Sequence, residues 1–307
     1  MITILGPTAS GKTVLAAHLA ANMNGEVISA DSRQVYRGMD IGTGKDYTGY
    51  VVNGIPVPHH LIDIVDPGYE YNIFEYQNDF RKVYHDICDR KKTPVLCGGS
   101  GMYLEAVLKG YQLAKAETDD EFIISLQDKS DDDLVDILKS YKTLHNITDI
   151  EDRPRLLKAL LIAYQTKGAA QQIADRDFPT IESTIFGIIY PRGLLKHRIT
   201  ERLENRLNNG MITEVEHLLG NGIPPARLMK YGLEYKFITL FITGEISRSA
   251  MFSQLNIAIR QFAKRQMTWF RRMERQGFHI HWIDGRLPVD QKLKEIHAIL
   301  SSQTSNC

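Results

Sequence analysis

The sequence predicts an α/β protein in which a parallel sheet is flanked by helices and interrupted by a small all-helical insertion. Three observations lead to this prediction: a glycine-rich loop directly follows an apolar N-terminal run, further short apolar runs alternate with helical stretches, and the composition turns acidic mid-chain. Such alternation is typical of buried parallel strands joined by crossover helices. We expect residues 1–111 and 184–307 to form one core and residues 112–183 to form the insertion.

The first predicted strand runs directly into a phosphate-binding loop. Residues 1–5 are a short apolar run, and residues 14–20 have the composition of a helix. The segment between them matches G-x-x-x-x-G-K-[ST], the pattern of a P-loop between a strand and a helix. The fold class is therefore predicted to be P-loop NTPase-like. The loop consists of Gly6, Pro7, Thr8, Ala9, Ser10, Gly11, Lys12 and Thr13.

This loop has the chemistry of a diphosphate or triphosphate site. Backbone N–H groups and the helix N-terminus supply partial positive charge, and Gly6 and Gly11 let the backbone approach a ligand. Lys12 adds a full charge, and the Thr13 hydroxyl is a ligand that suits Mg²⁺. The pattern does not identify which phosphate compound binds. It also does not show whether a phosphoryl group is transferred.

A carboxylate follows the second predicted strand. Residues 26–30 are predicted to form this strand, and Asp31 stands where it should end. Since ligands of open α/β sheets bind outside the carboxyl ends of the strands, Asp31 is expected at the same edge as the P-loop. We favour a catalytic role for Asp31 over a turn cap or a residue that holds Mg²⁺ through water. Residues 37–45 are rich in glycine and charge and are predicted to form a loop over the site.

The third predicted strand also ends in a glycine-rich turn. Residues 73–90 have helical spacing and predict a crossover helix, which a strand at 94–97 follows. Gly98–Gly101 then offers backbone N–H groups and the Ser100 hydroxyl to a ligand. A turn of this composition more often only permits a tight bend.

The middle of the chain is strongly acidic from residue 117 to 136 and has apolar residues at helical spacing. This predicts a small helical insertion with a solvated acidic face rather than a metal site. Strand character returns at 183–190, which indicates that the sheet resumes there.

The rest of the chain is predicted to be mostly helical. Helices are expected at 194–207, 211–219, 230–242 and 248–275, and an edge strand at 278–283. Two of these helices carry a basic stripe. The stripe on the helix at 194–207 consists of Arg198, Arg202 and Arg206, and the stripe on the helix at 248–275 consists of Arg260, Lys264, Arg271 and Arg275. Two such stripes near a phosphate site favour a polyanionic partner over plain solvated faces.

The composition argues against several classes of protein. The chain carries 37 basic and 37 acidic side chains, so nucleic-acid binding must depend on a local patch. Cys88, Cys97 and Cys307 do not have the spacing of zinc ligands or of a disulfide framework. The side chains of the adjacent His59 and His60 point in different directions on a strand, which favours hydrogen-bonded structural roles over a two-His metal site. The apolar start is too short for a signal peptide and no run could span a membrane, so a soluble cytoplasmic protein is expected.

Five segments together resemble the tRNA dimethylallyltransferase family. They are residues 6–13, Ala30–Thr43, His59–Asp63, Gly98–Tyr103 and Ala263–Phe270. The P-loop alone is shared with many kinases, whereas the run that begins Asp-Ser-Arg-Gln and the Ala-Lys-Arg-Gln-Met-Thr-Trp segment are much more particular. The resemblance covers nearly the whole chain in order.

The resemblance implies transfer of a dimethylallyl group from dimethylallyl diphosphate to N6 of the adenine on the 3′ side of the tRNA anticodon. Diphosphate is released and Mg²⁺ is the cofactor. All P-loop residues would hold the diphosphate of the donor, so ATP need not be a substrate. By the same resemblance Lys12 neutralises the leaving diphosphate and Thr13 binds Mg²⁺. Asp31 accepts the N6 proton, and Arg202 adds a second charge on the leaving group.

The resemblance also implies where tRNA binds. The anticodon stem-loop would contact the edge of the core and the helical insertion, whose acidic face must point away from the phosphates. The target base must leave its stack to enter the pocket. The implied contacts are Asp31, Ser32, Arg33, Gln34, Ser100, Pro154, Arg155, Leu156, Leu157, Lys158, Lys230, Tyr231, Gly232, Leu233, Glu234 and Tyr235. A monomer without a membrane partner is expected.

Several positions depart from the family pattern. Arg206 stands where methionine is usual, Ile259 where threonine is usual, and Ser100 where threonine is more common. A segment that usually resembles Gly-Tyr-Lys-Glu is Gly-Leu-Glu-Tyr at 232–235, and the insertion is short. None of these departures alters the P-loop or the predicted proton acceptor.

Other functions compete with this one. A related transferase would prenylate free AMP, ADP or ATP, but the helical insertion and the basic stripes argue against it because a mononucleotide needs neither. A P-loop kinase acting on a small molecule would consume ATP and need no allylic donor. An RNA-binding protein that uses nucleotide only as a switch would tolerate Asp31→Asn.

Overall fold

The computed structural model describes residues 1–111, 120–141, 150, 153–168 and 180–304. The chain divides into two compact units. One consists of Met1–Lys109 and Ile181–Cys307, and the other of Gly110–Thr180. The first contains a sheet flanked by helices, and the described part of the second is helical.

A parallel sheet of six strands organises the larger unit, which confirms the predicted fold class. Its strands are β1 (Ile2–Leu5), β2 (Gly25–Ala30), β5 (His59–His60), β6 (Thr93–Gly98), β7 (Thr184–Ile189) and β8 (Ile280–Asp284). Their order is β5-β2-β6-β1-β7-β8, so the predicted edge strand is confirmed as β8. β3 (Val51–Val52) and β4 (Ile55–Pro56) form a separate antiparallel hairpin.

The register of three central strands brings three motifs to one edge. Leu5 at the end of β1 pairs with Gly98 at the end of β6, and Ala30 at the end of β2 also pairs with Gly98. The strands approach so closely here that a Cβ at Gly98 would overlap the carbonyl oxygen of Ala30. The P-loop, Asp31 and the turn that contains Ser100 therefore leave the sheet side by side.

Helices flank the sheet and extend beyond it. In the larger unit they are α1 (Lys12–Asn22), α2 (Ile73–Asp89), α3 (Gly101–Leu108), α7 (Arg192–Asn208), α8 (Met211–Gly220), α9 (Pro225–Leu228), α10 (Leu233–Ile242), α11 (Arg248–Arg275) and α12 (Val289–Thr304). The helices predicted at 73–90 and 248–275 are confirmed as α2 and α11. Among the described residues, no helix combines the length and the apolar character needed to cross a membrane.

One predicted helix begins later than its spacing indicated. A continuous helix was expected from Lys230, but a 3₁₀ turn covers Met229–Tyr231 and α10 starts only at Leu233. Gly232 lies between them with φ +148°, a conformation that interrupts a helix and that glycine adopts readily. The helix therefore starts only after this glycine, although apolar residues recur at helical spacing on both sides of it.

Two of the hydrophobic cores formed by described residues position the elements around the loop at 6–13. One joins the sheet to α1 and α12 and includes the fully buried Ile4, Leu19 and Phe186. The other joins the segment after β2 to α7, α8, α10 and α11 and includes Leu203. Because Ala9 of the P-loop also belongs to this second core, packing holds the C-terminal helices next to the phosphate loop.

The described part of the smaller unit consists of α4 (Asp120–Leu126), α5 (Asp131–Tyr141) and α6 (Arg153–Gly168). Its apolar core is formed by Leu126, Leu134, Leu138, Leu156, Ala159, Leu160 and Ala163. Arg153 donates to the Asp131 carboxylate at 2.5 Å and to the Gln127 carbonyl at 2.7 Å. Asp131, Asp132 and Asp133 are exposed, as predicted for a solvated acidic face.

Candidate active site

The P-loop turns between β1 and α1 in the predicted strand, loop and helix arrangement. Gly11 caps α1 with φ +80°, and Ala9 has φ +62°. The Ser10 N–H donates to the Pro7 carbonyl at 3.3 Å. The ammonium of Lys12, the first residue of α1, lies 3.5 Å from the same carbonyl. The loop is therefore closed by its own backbone, with the lysine folded over it.

Two groups of the loop lack the partners that a bound anion would supply. The Ser10 hydroxyl is buried and has no hydrogen-bond partner among the described residues. An unpaired buried hydroxyl costs free energy unless a ligand accepts its hydrogen bond. Burial also lowers the pKa of Lys12, and the positive charges of Arg202 and Arg206 lower it further. A phosphate bound in the loop would offset both costs.

Asp31 follows β2 at the same edge. One of its carboxylate oxygens accepts a hydrogen bond from the backbone N–H of the exposed Arg33 at 2.9 Å. The charge of Asp31 partly opposes the lowering of the pKa that burial causes at Lys12, so the two side chains are within electrostatic reach. Asp31 thus caps a turn and is also close enough to Lys12 for its charge to act on the ammonium. The sequence suggested two roles for Asp31, a turn cap and a catalytic group, and the structure allows both.

Ser100 joins the turn after β6 to the turn after β2. Its hydroxyl accepts from the Ser32 N–H at 3.2 Å, and its N–H donates to the Ala30 carbonyl at 3.3 Å. The Gln34 side chain turns elsewhere and donates to the Gly44 carbonyl at 3.4 Å. The structure therefore brings Ser32 and Ser100 together beside Asp31, whereas Gln34 holds the loop 37–45.

The basic stripe on α7 faces the P-loop. Arg198 donates from Nε to the Ala9 carbonyl at 3.0 Å, and Arg202 donates from Nη1 to the Thr8 hydroxyl at 3.3 Å. Burial lowers the pKa of Arg202 to about 10, and the charge of the adjacent Arg206 contributes to this shift. Tertiary packing thus directs Arg198 and Arg202 to the P-loop, where the family resemblance also implies Arg202.

The second basic stripe, on α11, is divided. Arg260 turns toward α7 and donates to the Thr200 hydroxyl at 2.7 Å. Lys264, Arg271 and Arg275 are exposed. These exposed cations remain accessible to a polyanion.

Gln266 on α11 contacts both glycine-rich loops, a role that the sequence pattern did not predict. Its Oε1 accepts from the Thr8 N–H at 2.8 Å, and its Nε2 donates to the Gly99 carbonyl at 2.9 Å. A Cβ at Gly99 would overlap this amide, so a larger residue there would displace the Gln266 side chain. Gln266 lies in the Ala263–Phe270 segment that carries the family resemblance, and this was the one signal that pointed to it.

Glu214 on α8 orders the loop over the site, and the sequence pattern did not indicate it either. Its carboxylate accepts from the backbone N–H groups of Asp40, Ile41 and Gly42 at 2.8, 2.6 and 3.0 Å. It also accepts from the Tyr235 hydroxyl at 2.7 Å. A single glutamate on an amphipathic helix belongs to no motif, so no sequence signal could have found it.

The segment 230–235, predicted to contact tRNA, is partly buried. Lys230 is exposed, whereas Tyr231 and Tyr235 are 5% and 1% exposed. The Tyr231 hydroxyl accepts from the Gly68 N–H at 2.5 Å. Gly232, Leu233 and Glu234 are of intermediate exposure. The burial of the two tyrosines favours structural roles, so a contact to RNA from this segment falls mainly to Lys230.

The predicted tRNA contacts at 154–158 lie near the start of α6 in the smaller unit. Pro154 and Arg155 are exposed, Leu157 is of intermediate exposure, and Leu156 is buried in the helical core. The side chain of Lys158 lies outside the described residues.

The loop suits a divalent cation that is bound together with a diphosphate. Within the described ranges, no cluster of three or more His, Cys, Asp or Glu side chains could hold a metal alone. Mg²⁺ at phosphate sites is usually bound by one or two protein groups, the phosphate oxygens and water. Thr13, the second residue of α1, offers such an oxygen, and the Ser10 hydroxyl of the same loop is buried without a partner among the described residues. The donor set therefore fits a magnesium diphosphate.

Comparisons with known proteins agree with one another. The family model described as IPP transferase matches residues 34–273. tRNA dimethylallyltransferase 1 of Parabacteroides distasonis is 54% identical over 303 residues, which cover 99% of this chain and 98% of that protein. tRNA dimethylallyltransferase 2 of Bacteroides fragilis is 53% identical over 293 residues and 95% of each chain. The crystal structure of full-length tRNA isopentenylpyrophosphate transferase from Bacillus halodurans is 29% identical, with a TM-score of 0.72, over 99% of this chain and 96% of that one.

Proposed function

The chain belongs to the IPP transferase family, and from this membership we propose that it transfers a dimethylallyl group from dimethylallyl diphosphate to N6 of the adenine on the 3′ side of the tRNA anticodon. The family model spans most of the chain, and curated relatives match nearly all of it. The observation that carries the proposal is the juxtaposition of the P-loop and Asp31 at one edge of the sheet. A diphosphate site then lies next to a proton acceptor.

In this proposal the P-loop and Arg202 bind the leaving diphosphate. An exocyclic adenine amine is a poor nucleophile, so the C–O bond of the donor is largely broken when N6 attacks the allylic carbon. The electron pair of that bond passes to the diphosphate oxygen. Lys12 and Arg202 are already oriented by contacts to Pro7 and Thr8, so they stabilise the new charge without reorganising.

Asp31 accepts the proton that N6 loses. This proton becomes acidic as the new C–N bond forms, so a carboxylate is a sufficient base. The hydrogen bond from the Arg33 N–H at 2.9 Å fixes the orientation of the carboxylate. The target adenine must be held with its N6 near Asp31. The adenine must therefore be unstacked from the other bases of the anticodon loop.

Thr13 and the diphosphate oxygens would hold Mg²⁺. The ion supplies charge neutralisation on the leaving group when it is bound. Lys12 and the backbone N–H groups of the P-loop bind and orient the same diphosphate from the protein side.

The acceptor in this proposal is the anticodon stem-loop of tRNA. Arg33 and Ser100 lie beside Asp31 and would contact the bases, and the exposed cations of α11 offer charge to the RNA backbone. The enzyme is proposed to act in the cytoplasm, where its acceptor is found, and as a monomer.

The proposal is tested by incubating the purified protein with MgCl₂, dimethylallyl diphosphate and unmodified tRNA, with AMP in a parallel reaction. Nucleosides are then digested and analysed by mass spectrometry. We expect a dimethylallyl adduct on tRNA adenosine. An adduct on AMP alone would move the activity to a mononucleotide acceptor. No adduct in either reaction, together with ATP turnover, would contradict prenyl transfer and favour a kinase.

A further inference from the structure

Arg206 lies within the candidate site, although the reaction above gives it no role. It is one turn beyond Arg202 on α7 and its Nη1 donates to Glu234 Oε1 at 3.4 Å. The side chains of this pair are 15% and 18% exposed. Arg206 is therefore a largely buried cation, and it lines a cavity together with Thr8 and Ala9 of the P-loop and Arg202.

The guanidinium groups of Arg206 and Arg202 converge on Gly44. A Cβ at Gly44 would overlap Nη2 of Arg206 and would lie 2.6 Å from Nη2 of Arg202. Arg202 also donates from Nη2 to the Gly44 carbonyl at 3.4 Å. Glycine at this position, with φ +72°, thus leaves the space that the two guanidinium groups occupy.

This convergence of positive charge needs compensation. Burial and the charge of Arg206 lower the pKa of Arg202 to about 10, and both arginines add to the lowering of the pKa of Lys12 that burial causes. Arg206 thus lies close enough to Lys12 and Arg202 to lower the pKa of both, and three neighbouring cations that converge in this way indicate a site that binds a multiply charged anion. Among the described residues, Glu234 supplies the carboxylate that is paired with Arg206.

We propose that Arg206 is a second guanidinium ligand of the leaving diphosphate, next to Arg202, and that Glu234 is a positioning residue that holds Arg206 in place. This inference rests on the proposed function, because it takes the diphosphate in the P-loop as the ligand. When the allylic C–O bond breaks, its electron pair passes to the diphosphate oxygen. Arg206 would donate hydrogen bonds to the diphosphate without losing a proton.

Glu234 acts through Arg206 and not on the substrate. Its carboxylate binds Nη1, so that Nη2 remains directed to Gly44 and Arg202. Burial raises the pKa of Glu234, and the charge of Arg206 opposes that shift, so the ionised carboxylate depends on the arginine. A diphosphate and this carboxylate repel each other, which requires the guanidinium to lie between them.

The test measures binding of inorganic diphosphate with MgCl₂ to the full chain by isothermal titration calorimetry. Arg206→Met should weaken diphosphate binding at least tenfold. The affinity of Arg206→Lys should lie between those of Arg206→Met and the wild type, because lysine keeps the charge but not the planar guanidinium. Glu234→Gln should weaken binding only a few-fold. Arg192→Met, an exposed arginine of the same helix, is the matched control and should bind like the wild type.

The double variant Arg206→Met with Glu234→Gln separates a ligand from a structural ion pair. If Arg206 binds diphosphate, removing the orphaned carboxylate raises the melting temperature of Arg206→Met but leaves diphosphate binding at least tenfold weaker than in the wild type. Wild-type affinity in Arg206→Met, or its full recovery in the double variant, would overturn the inference. Arg206→Lys serves the same comparison if Arg206→Met does not fold.

A separate measurement distinguishes this inference from the proposed function. The wild type and Arg206→Lys are assayed for transfer to unmodified tRNA under single-turnover conditions. If diphosphate binding depends on Arg206 but the wild type forms no adduct on tRNA, the proposed acceptor is wrong while the ligand role of Arg206 stands. If the wild type prenylates tRNA and Arg206→Met binds diphosphate normally, only the inference is wrong.

Discussion

Gln266 accepts a hydrogen bond from the backbone N–H of Thr8 at 2.8 Å, across 258 positions of the sequence. The same side chain donates to the Gly99 carbonyl at 2.9 Å, so one amide ties the P-loop to the turn after β6. The long helix α11 thereby contacts both loops of the proposed phosphate site directly.

Replacing Gln266 with leucine should leave the Thr8 N–H and the Gly99 carbonyl without partners. We expect the free energy of unfolding to fall by about 2–6 kcal/mol, because each of the two unpaired groups costs about 1–3 kcal/mol. Diphosphate affinity should fall as well. Urea unfolding and calorimetry check both effects against Gln261→Leu, an exposed glutamine of the same helix. Equal behaviour of the two variants would contradict the bridging role.

Asp31→Asn should greatly lower the rate of dimethylallyl transfer and leave the binding of the diphosphate donor unchanged. Loss of a general base lowers the rate of transfer by about 10²–10⁴-fold, whereas diphosphate binds to groups that this change leaves intact. Single-turnover transfer to tRNA and diphosphate titration separate the two steps. Asp89→Asn at the exposed end of α2 is the control. Parallel losses of rate and diphosphate affinity would show that Asp31 acts in binding instead.

Gly44→Ala and Gly54→Ala form a matched pair, since both glycines have positive φ, +72° and +79°. Each substitution should cost about 1 kcal/mol in backbone strain. Only the methyl group at Gly44 meets the guanidinium groups of Arg202 and Arg206, because no atom lies within 4 Å of a Cβ at Gly54. We therefore expect diphosphate affinity to fall in Gly44→Ala alone. A similar loss in both variants would mean that strain, not the arginines, is responsible.

Glu214→Gln should loosen the loop over the site. The carboxylate accepts hydrogen bonds from three successive N–H groups, and an amide replaces one acceptor oxygen by a donor. Amide hydrogen exchange at Asp40, Ile41 and Gly42 should become faster, and the KM for dimethylallyl diphosphate should rise several-fold. Glu216→Gln on the exposed face of α8 should change neither. Unchanged exchange in Glu214→Gln would refute the anchoring role.

Glu26 makes stability depend on pH at the amino end of β2. Its side chain is 3% exposed and pairs with Arg90 at 2.8 Å, Lys92 at 2.7 Å and His60 at 2.7 Å. Hydrogen bonds from Arg90, and then from Lys92 and His60, hold the pKa of Glu26 well below its ordinary value against the opposing effect of burial. This stabilisation is fully present above the unfolded pKa and is lost as the pH falls toward the folded value.

Glu26→Gln should therefore lower the free energy of unfolding by about 2 kcal/mol at pH 7, in line with hydrogen bonds to a charged group. The difference from the wild type should shrink below about pH 4.3, the ordinary pKa of glutamate. Urea unfolding at several pH values tests this, with the exposed Glu295→Gln as control. A difference that stays constant down to pH 3.5 would rule out the ionic contribution.

The sequence by itself determined the fold class, the strands β1, β2, β6, β7 and β8, and the phosphate loop at 6–13. Local pattern suffices for these features, because apolar runs of strand length and a loop of defined spacing are properties of neighbouring residues. It also indicated that Asp31 and Ser100 share an edge with the loop, since parallel strands must end on the same side.

The family resemblance already implied Arg202 at the diphosphate, but tertiary structure decided which other distant groups complete the site. Periodicity showed that Arg198, Arg202 and Arg206 share a helix face, but only the packing of the second core turned that face to the P-loop. Gln266 reaches the P-loop, and Glu214 reaches the backbone at 40–42, from helices whose positions depend on that packing. Hydrogen bonds between residues so far apart in sequence follow from how whole elements pack, and no spacing along the chain encodes that geometry.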